Sequence, residues 1–298
     1  MHAVVSKIIQ NPIILPNMTV DKIHRFTKVR PKKNLGQHFL TDLNVARRIA
    51  DTVDVSPELP VLEVGPGMGV LTQYLLEKGR ELKVVEIDRE SVTYLNQQWP
   101  ELSDRILSAD FLRMDLLEVF EGRPFVLIGN YPYDISSQIF FKMLDNRALI
   151  PCCTGMIQHE MAYRIAAHPG TKAYGILSVL LQMWYDIEYC FTVEPGVFNP
   201  PPKVKSAVFI MRRNGRTEAG CNEALLKRLV KFTFQQRRKM LRGTLRSLLA
   251  QIDAENKRTV DHSAFLAHSD LTRRPEQLSV EDFISLCNEV ESELALKE

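Results

Sequence analysis

The residues with the most chemical content lie in one short stretch, Ile128-Gly129-Asn130-Tyr131-Pro132-Tyr133. It follows an apolar run, Phe125-Val126-Leu127-Ile128, that reads as a buried strand broken by Gly129 and Pro132. Asn130 and Tyr133 are then left at a strand end, where α/β proteins hold their ligands. Their types suit methylation of an amino group conjugated to an aromatic ring. The exocyclic nitrogen of adenine is a poor nucleophile because its lone pair is delocalised into the ring. Two acceptors on its N–H bonds pull the nitrogen towards tetrahedral geometry and free that pair. The side-chain oxygen of Asn130 is one such acceptor. The backbone carbonyl of Tyr131 is the other, aimed by the rigid Pro132. Tyr133 can stack on a base that has left its helix. The same four residues would also make a plain strand-ending turn with a surface tyrosine, so the elements around them must decide.

Those elements begin with Val61-Leu62-Glu63-Val64-Gly65-Pro66-Gly67-Met68-Gly69 and a helix through Leu71, Leu75 and Leu76. This is a strand, a glycine turn and a helix, in which Gly65 and Gly67 let backbone approach a ligand closely. The spacing is G-x-G-x-G rather than the dinucleotide G-x-G-x-x-G, and no Lys-Ser/Thr pair makes it a P-loop. A second strand, Leu82 to Asp88, ends in acid roughly 20 residues later, where ribose hydroxyls are bound in this architecture. Glu86 is the expected hydroxyl ligand, and Asp88 is as well suited to capping the next helix. A third strand, Arg105 to Ser108, ends at Asp110, an acceptor for an adenine amino group or again a cap. Glycine turn, Glu86 and Asp110 together point to S-adenosylmethionine.

Further on, the pattern predicts a helix over Asp134 to Leu144, a strand over Thr154 to Gln158 and a helix over Tyr174 to Met183. Tyr185 to Val193 and Lys205 to Arg212 read as an antiparallel pair closing the sheet. Between them, Val197-Phe198-Asn199-Pro200-Pro201-Pro202-Lys203-Val204 is stiffened by its prolines. Phe198 is either a second face for the flipped base or a core residue beneath the loop. Residues 214–220 read as a linker. Beyond them Leu225, Leu226, Leu229 and Val230, then Leu241, Leu245, Leu248 and Leu249, follow helical spacing. Arg238, Arg242 and Arg246 fall at i, i+4 on another face, and Ser279 reads as the cap of a last helix.

Composition sets bounds. The 298 residues suffice for two domains, and 45% hydrophobic with 25% charged residues is ordinary for a soluble globular chain. The formal charge is only +2, but basic residues cluster from Lys22 to Arg48 and from Lys227 to Arg246, while the segment from Glu276 is acidic. Such clusters suit a polyanionic partner or a solvated face. The 5 cysteines show no metal spacing, which argues for a reducing, intracellular setting and against zinc. No run approaches a membrane span. The first residues do not read as a secretory signal, and Met18 could serve as a start.

From about Pro31 onward the sequence resembles the ribosomal RNA adenine dimethyltransferases. The likeness rests on Asn34-Leu35-Gly36-Gln37-His38-Phe39-Leu40, Glu63 to Gly67, Val85-Glu86-Ile87-Asp88, Ala109-Asp110, Asn130-Tyr131-Pro132-Tyr133, Phe198 to Val204 and Arg274-Pro275-Glu276-Gln277-Leu278. It implies a Rossmann-like class I methyltransferase sheet over residues 31–213 and a smaller all-helical RNA-substrate domain over 221–298, after an irregular extension over 1–30. It also implies that His38, Leu40, Gly65, Glu86, Asp110 and Asn130 line the methyl-donor site. The implied reaction is N6,N6-dimethylation of two adjacent adenosines near the 3′ end of small-subunit (16S) ribosomal RNA. The implied setting is a cytoplasmic monomer acting on an assembling small subunit, with no metal. Two residues depart from the family pattern: Tyr131 stands where Leu or Ile is usual, and Asp134 where Asn is usual. The first should leave the backbone carbonyl in place; the second puts local hydrogen bonding in question. Two rivals remain, the antibiotic-resistance branch that modifies large-subunit RNA and a non-catalytic RNA-binding assembly factor.

Overall fold

The computed structural model describes residues 29–32 and 35–295. Most of the extension expected over 1–30 therefore lies outside the described residues, as do Lys33 and Asn34 of the segment before His38. The first elements are β1 (Phe39–Leu40) and α1 (Leu43–Ala50). Asp42 caps α1 by accepting hydrogen bonds from the backbone N–H groups of Asn44 and Val45. Next come β2 (Val61–Val64), α2 (Thr72–Glu77), β3 (Leu82–Glu86), α3 (Arg89–Gln98) and β4 (Ile106–Ser108). They are followed by β5 (Val126–Asn130), α4 (Ser136–Asp145), β6 (Cys152–Gln158), α5 (His159–Ile165), α6 (Ile176–Gln182), β7 (Tyr185–Val193), β8 (Phe198–Asn199) and β9 (Ser206–Arg213). The helices α7 (Glu223–Gln235), α8 (Leu241–Glu255), α9 (Ser263–Leu266) and α10 (Val280–Ala295) close the described chain.

Seven strands form one sheet in the order β4-β3-β2-β5-β6-β9-β7. The first five are parallel, and β9 pairs antiparallel with both β6 and β7. Apart from Glu63, Gly129 and Asn130, β2 and β5 consist of valine, leucine and isoleucine, because strands in the middle of a parallel sheet are covered on both faces. The chain runs outward from β2 through β3 to β4, then returns to place β5 on the other side of β2. That reversal opens a crevice at the carboxyl ends of β2 and β5. A second, two-stranded sheet pairs β1 with β8 and lays the segment before α1 along the proline loop.

Between β9 and α7, residues 214–220 hold no helix or strand. The hydrophobic packing does not stop there: Leu144, Leu180 and Trp184 belong to the same buried cluster as Leu226, Leu229, Val230 and Phe283. One expectation is corrected. Arg238 lies in the turn between α7 and α8, so Arg238, Arg242 and Arg246 are not one helical row. The chain turns at Gln236 to Lys239, and the Leu241 N–H then bonds the Arg273 carbonyl. This lets the apolar faces of both helices reach the same core, which one straight helix could not do.

Candidate active site

At the switch point lies a cleft of about 260 Å³, walled by residues 35–40, the glycine turn, the ends of β3 and β4 and the segment from Asn130 to Ile135. Gly65 and Gly67 have φ of +67° and +56°, a region that side-chain-bearing residues rarely adopt. A methyl group at Gly65 would meet nothing within 4 Å, whereas one at Gly67 would press within 3.0 Å of the Phe39 ring. The turn thus presents bare backbone to the cleft at Gly65 and packs tightly on β1 at Gly67.

The acids divide into three environments. Glu86 is 4% exposed, and its oxygens accept from the backbone N–H groups of Gly67 at 3.0 Å and Asp88 at 2.9 Å. Burial raises its pKa despite those bonds. Each oxygen has a second lone pair, so Glu86 can still accept from a diol. Asp110 uses Oδ1 to bond the Leu112 N–H at 2.9 Å, while Oδ2 lies 3.5 Å from Arg113. It caps a turn, not a helix, and keeps acceptor capacity towards the cleft. Asp88 caps α3 through the Glu90 N–H, as one of its two expected roles required.

On the other side, the Asn130 side-chain amide donates to the His38 carbonyl at 3.2 Å. That bond fixes which end of the amide is nitrogen and leaves Oδ1 free to accept. The Pro132 carbonyl is taken by the Ser136 hydroxyl at 2.8 Å and the Ile135 N–H. No donor among the described residues bonds the Tyr131 carbonyl. The Tyr131 ring is fully buried and points away into the core, its hydroxyl donating to the Thr154 carbonyl at 2.8 Å. Room for it comes from paired glycines on β5 and β6: a methyl group at Gly155 would sit 2.1 Å from the Gly129 carbonyl and 2.9 Å from the Tyr131 ring. The unusual tyrosine is therefore accommodated without entering the cleft by its side chain. Asp134, the second departure, is exposed beside Gly36, with Oδ2 3.3 Å from where a Gly36 methyl would lie.

His38 donates from Nδ1 to the Pro200 carbonyl at 2.8 Å, which places its proton on that nitrogen. Its ring stacks on Tyr133 at 5.6 Å, and the Tyr133 hydroxyl lies 2.5 Å from Ser206 Oγ. Leu40 is 4% exposed and lines the cleft. The structure brings His38, Leu40, Gly65, Gly67, Glu86, Asp110, Asn130, Tyr131, Pro132 and Tyr133 to one cleft. Phe198 is not among its walls: it is 5% exposed and packs with Leu40, Val193 and Val208 behind β1.

Two features escaped sequence reasoning. Glu63 is 1% exposed and lines the cleft, accepting from the Thr72 hydroxyl at 2.7 Å. Burial pushes its pKa up to about 8; the Thr72 bond opposes the rise and the Glu86 charge adds to it. An acid inside an otherwise apolar central strand was the signal. The second is Ile87, 53% exposed yet part of the wall beside Glu86. The donor set suits S-adenosylmethionine: carboxylates for hydroxyl and amino groups, apolar walls for a flat ring, and an open glycine turn.

The sequence profile of the family "Ribosomal RNA adenine dimethylase" matches residues 28–289. The Ribosomal RNA small subunit methyltransferase A of Phocaeicola vulgatus is 61% identical over 269 residues, spanning 90% of this chain and 92% of its own. A dimethyladenosine transferase from Plasmodium falciparum superposes with a TM-score of 0.70 at 22% identity, covering 86% of this chain and 98% of that one. It speaks for the fold. The 23S rRNA methyltransferase ErmE superposes at 0.57 with 26% identity, covering 84% and 99%.

Proposed function

Since the chain belongs to the ribosomal RNA adenine dimethylase family, we propose that its cleft holds S-adenosylmethionine and that the Asn130 to Tyr133 turn receives the N6 amino group of an RNA adenine. The chain is an S-adenosylmethionine-dependent ribosomal RNA adenine dimethyltransferase. Glu86 holds the ribose hydroxyls of the donor, Asp110 its adenine amino group, and Gly65 and Gly67 admit it against the backbone. When bound, the donor supplies an electrophilic methyl group.

Everything else falls to the acceptor side. In the first transfer Asn130 Oδ1 and the Tyr131 carbonyl take the two N–H bonds of the target amino group and direct its lone pair into the cleft; in the second, one of them takes the single N–H that remains. Tyr133 offers a ring to the target base. Phe198 would add a second face only if its ring left the core. No strong base is required: the N–C bond would form as the donor's S–C bond breaks and the thioether leaves, and the nitrogen would then shed its proton to water. Orientation and exclusion of water carry the acceleration. The observation that carries this reading is the pair of free acceptors, Asn130 Oδ1 and Tyr131 O, at the wall of the same cleft that Glu86 lines.

The substrate we propose is two adjacent adenosines near the 3′ end of small-subunit RNA, in an assembling small subunit. The relative's name and its 61% identity support this over the large-subunit reaction in the name of the 26% identical neighbour. Residues 221–298 face the RNA, and the enzyme works as a cytoplasmic monomer. All cysteines are free, as a reducing compartment requires. Among the described residues no helix is long and apolar enough to cross a membrane. The test is to incubate the chain with labelled donor and, in parallel, small and large subunits from cells lacking it, then to map products by mass spectrometry. Dimethyladenosine at two adjacent positions is expected. Product confined to large-subunit RNA would overturn the assignment.

A further inference from the structure

We infer that Asp88 is a positioning residue of the methyl-donor site: it ties the cleft wall formed by residues 35–40 to Glu86, through an ion pair with Lys32. The inference rests on reading the cleft as the donor site, and it gives Asp88 a task beyond capping α3.

Asp88 is 3% exposed and every polar atom it offers is engaged. Oδ1 accepts from Lys32 Nζ at 2.5 Å and from the Glu90 N–H at 3.1 Å. Oδ2 accepts from Ser91 Oγ at 3.3 Å and Gln37 Nε2 at 3.5 Å. Its own N–H donates to Glu86 Oε1. A helix cap needs only the bonds within α3. Gln37 belongs to the wall and Lys32 lies just before it, and they are joined to each other by a bond from the Lys32 N–H to Gln37 Oε1 at 2.9 Å. Asp88 therefore reaches Lys32 and Gln37 through its carboxylate, and the carboxylate proposed to hold the donor through its backbone N–H.

The segment's two ends are held unequally. Its far end is fixed by the β1–β8 pairing, by His38 on Pro200, by Thr41 on Val197 through both backbone and hydroxyl, and by Asn130 on the His38 carbonyl. Towards α3, the polar contacts among the described residues are those of Lys32 and Gln37 with Asp88 and a second contact of Lys32 with the exposed Glu90 at 3.2 Å, beside apolar packing of Val29 and Phe39 with Met68 and Tyr94. The ion pair with Asp88 is half buried, with a side-chain exposure of 33% for Lys32 and 1% for Asp88. It retains more of its strength than a solvent-exposed pair. Burial alone would raise the Asp88 pKa; Lys32 and the other donors outweigh it and hold it low. The carboxylate is thus charged where the lysine that anchors the wall needs it.

Asparagine caps helices as well as aspartate, so Asp88→Asn removes the charge and keeps the cap. The experiment is calorimetric titration of the full chain with S-adenosylhomocysteine, for wild type, Lys32→Gln, Asp88→Asn, the double variant, Glu90→Gln and Glu86→Ala. Each of the first two variants should bind roughly five- to tenfold more weakly, less than the loss from removing a charge-assisted bond to the ligand itself, because the effect is indirect. The double variant should bind no more weakly than the worse single, since both remove the same contact. Glu90→Gln should match wild type, and Lys32→Gln, although less stable for want of the ion pair, should still unfold in one cooperative transition well above the titration temperature. Wild-type affinity in Lys32→Gln, or losses that multiply in the double variant, would overturn the inference while leaving the donor site standing if Glu86→Ala still loses binding. A wild-type chain that binds no ligand would overturn both.

Discussion

The carboxyl end of the sheet and the basic segment of the C-terminal helices use charge in opposite ways. At the sheet, Glu63, Glu86 and Asp88 are buried and each is held by named donors, so their direction is set before any ligand arrives. In the helices, a segment that carries no acid of its own finds acids elsewhere: Lys227 pairs with Asp145, Arg228 with Glu255 and Arg237 with Glu276. Among the described residues, Arg238, Lys239 and Arg246 are exposed and form no ion pair. The difference teaches that a site built from strand ends is local in sequence, whereas a charged surface is what remains after distant partners are subtracted.

The comparison can be sharpened first at Tyr131, where backbone and side chain are assigned separate duties. Tyr131→Leu should lower unfolding free energy by about 2–4 kcal/mol, because a buried ring and its bond to Thr154 are lost over a glycine-lined space. The variant should keep its methyl-transfer rate within about threefold, since the carbonyl stays. Denaturant unfolding beside a rate assay separates the two. Glu86→Ala should weaken donor binding by roughly 1.5–3 kcal/mol, read by calorimetry, because a charged acceptor disappears.

Glu63 gives the next effect. Between the ordinary carboxylate range and its folded pKa of about 8, the native protein holds a proton that the unfolded chain releases. Stability from this group is fully present below that window and is lost as pH rises through it, at up to ~1.4 kcal/mol per pH unit. Glu63→Gln, which keeps an acceptor for Thr72, should flatten the fall in unfolding midpoint between about pH 5 and 8. Parallel pH curves would mean that Glu63 is ionised in the fold.

The smallest effect tests the other side of the comparison. Neutralising Arg238, Lys239 and Arg246 should reduce the salt dependence of RNA binding by roughly two to three units of slope while donor affinity holds. Neutralising the paired Lys227, Arg228 and Arg237 should change that slope less. Equal changes would erase the distinction between paired and free cations.

Much of the first region was legible because its residues sit where strands end. Gly65, Glu86, Asp110 and Asn130 each follow an apolar run, and parallel strands bring such ends together. Glu63 was not read, since an acid within a strand looks like a solvated alternate position until its burial is known. Phe198 could be read two ways, and packing with Leu40 decided its place. Tyr131 could not be placed from sequence, because the glycine that makes room for it, Gly155, lies on a neighbouring strand. Arg238 was misread as helical because helical spacing continued across a turn that only the shared core requires.

The central claim is that the two free acceptors at Asn130 and Tyr131 make adenine N6 a nucleophile. Single-turnover methylation of immature small subunits by wild type and Asn130→Ala, with product adenosines counted by mass spectrometry, tests it most directly. The account predicts an intact fold, nearly unchanged RNA binding and a rate lower by ~10²–10³ in the variant. A wild-type rate in Asn130→Ala, with donor and RNA still bound, would contradict it.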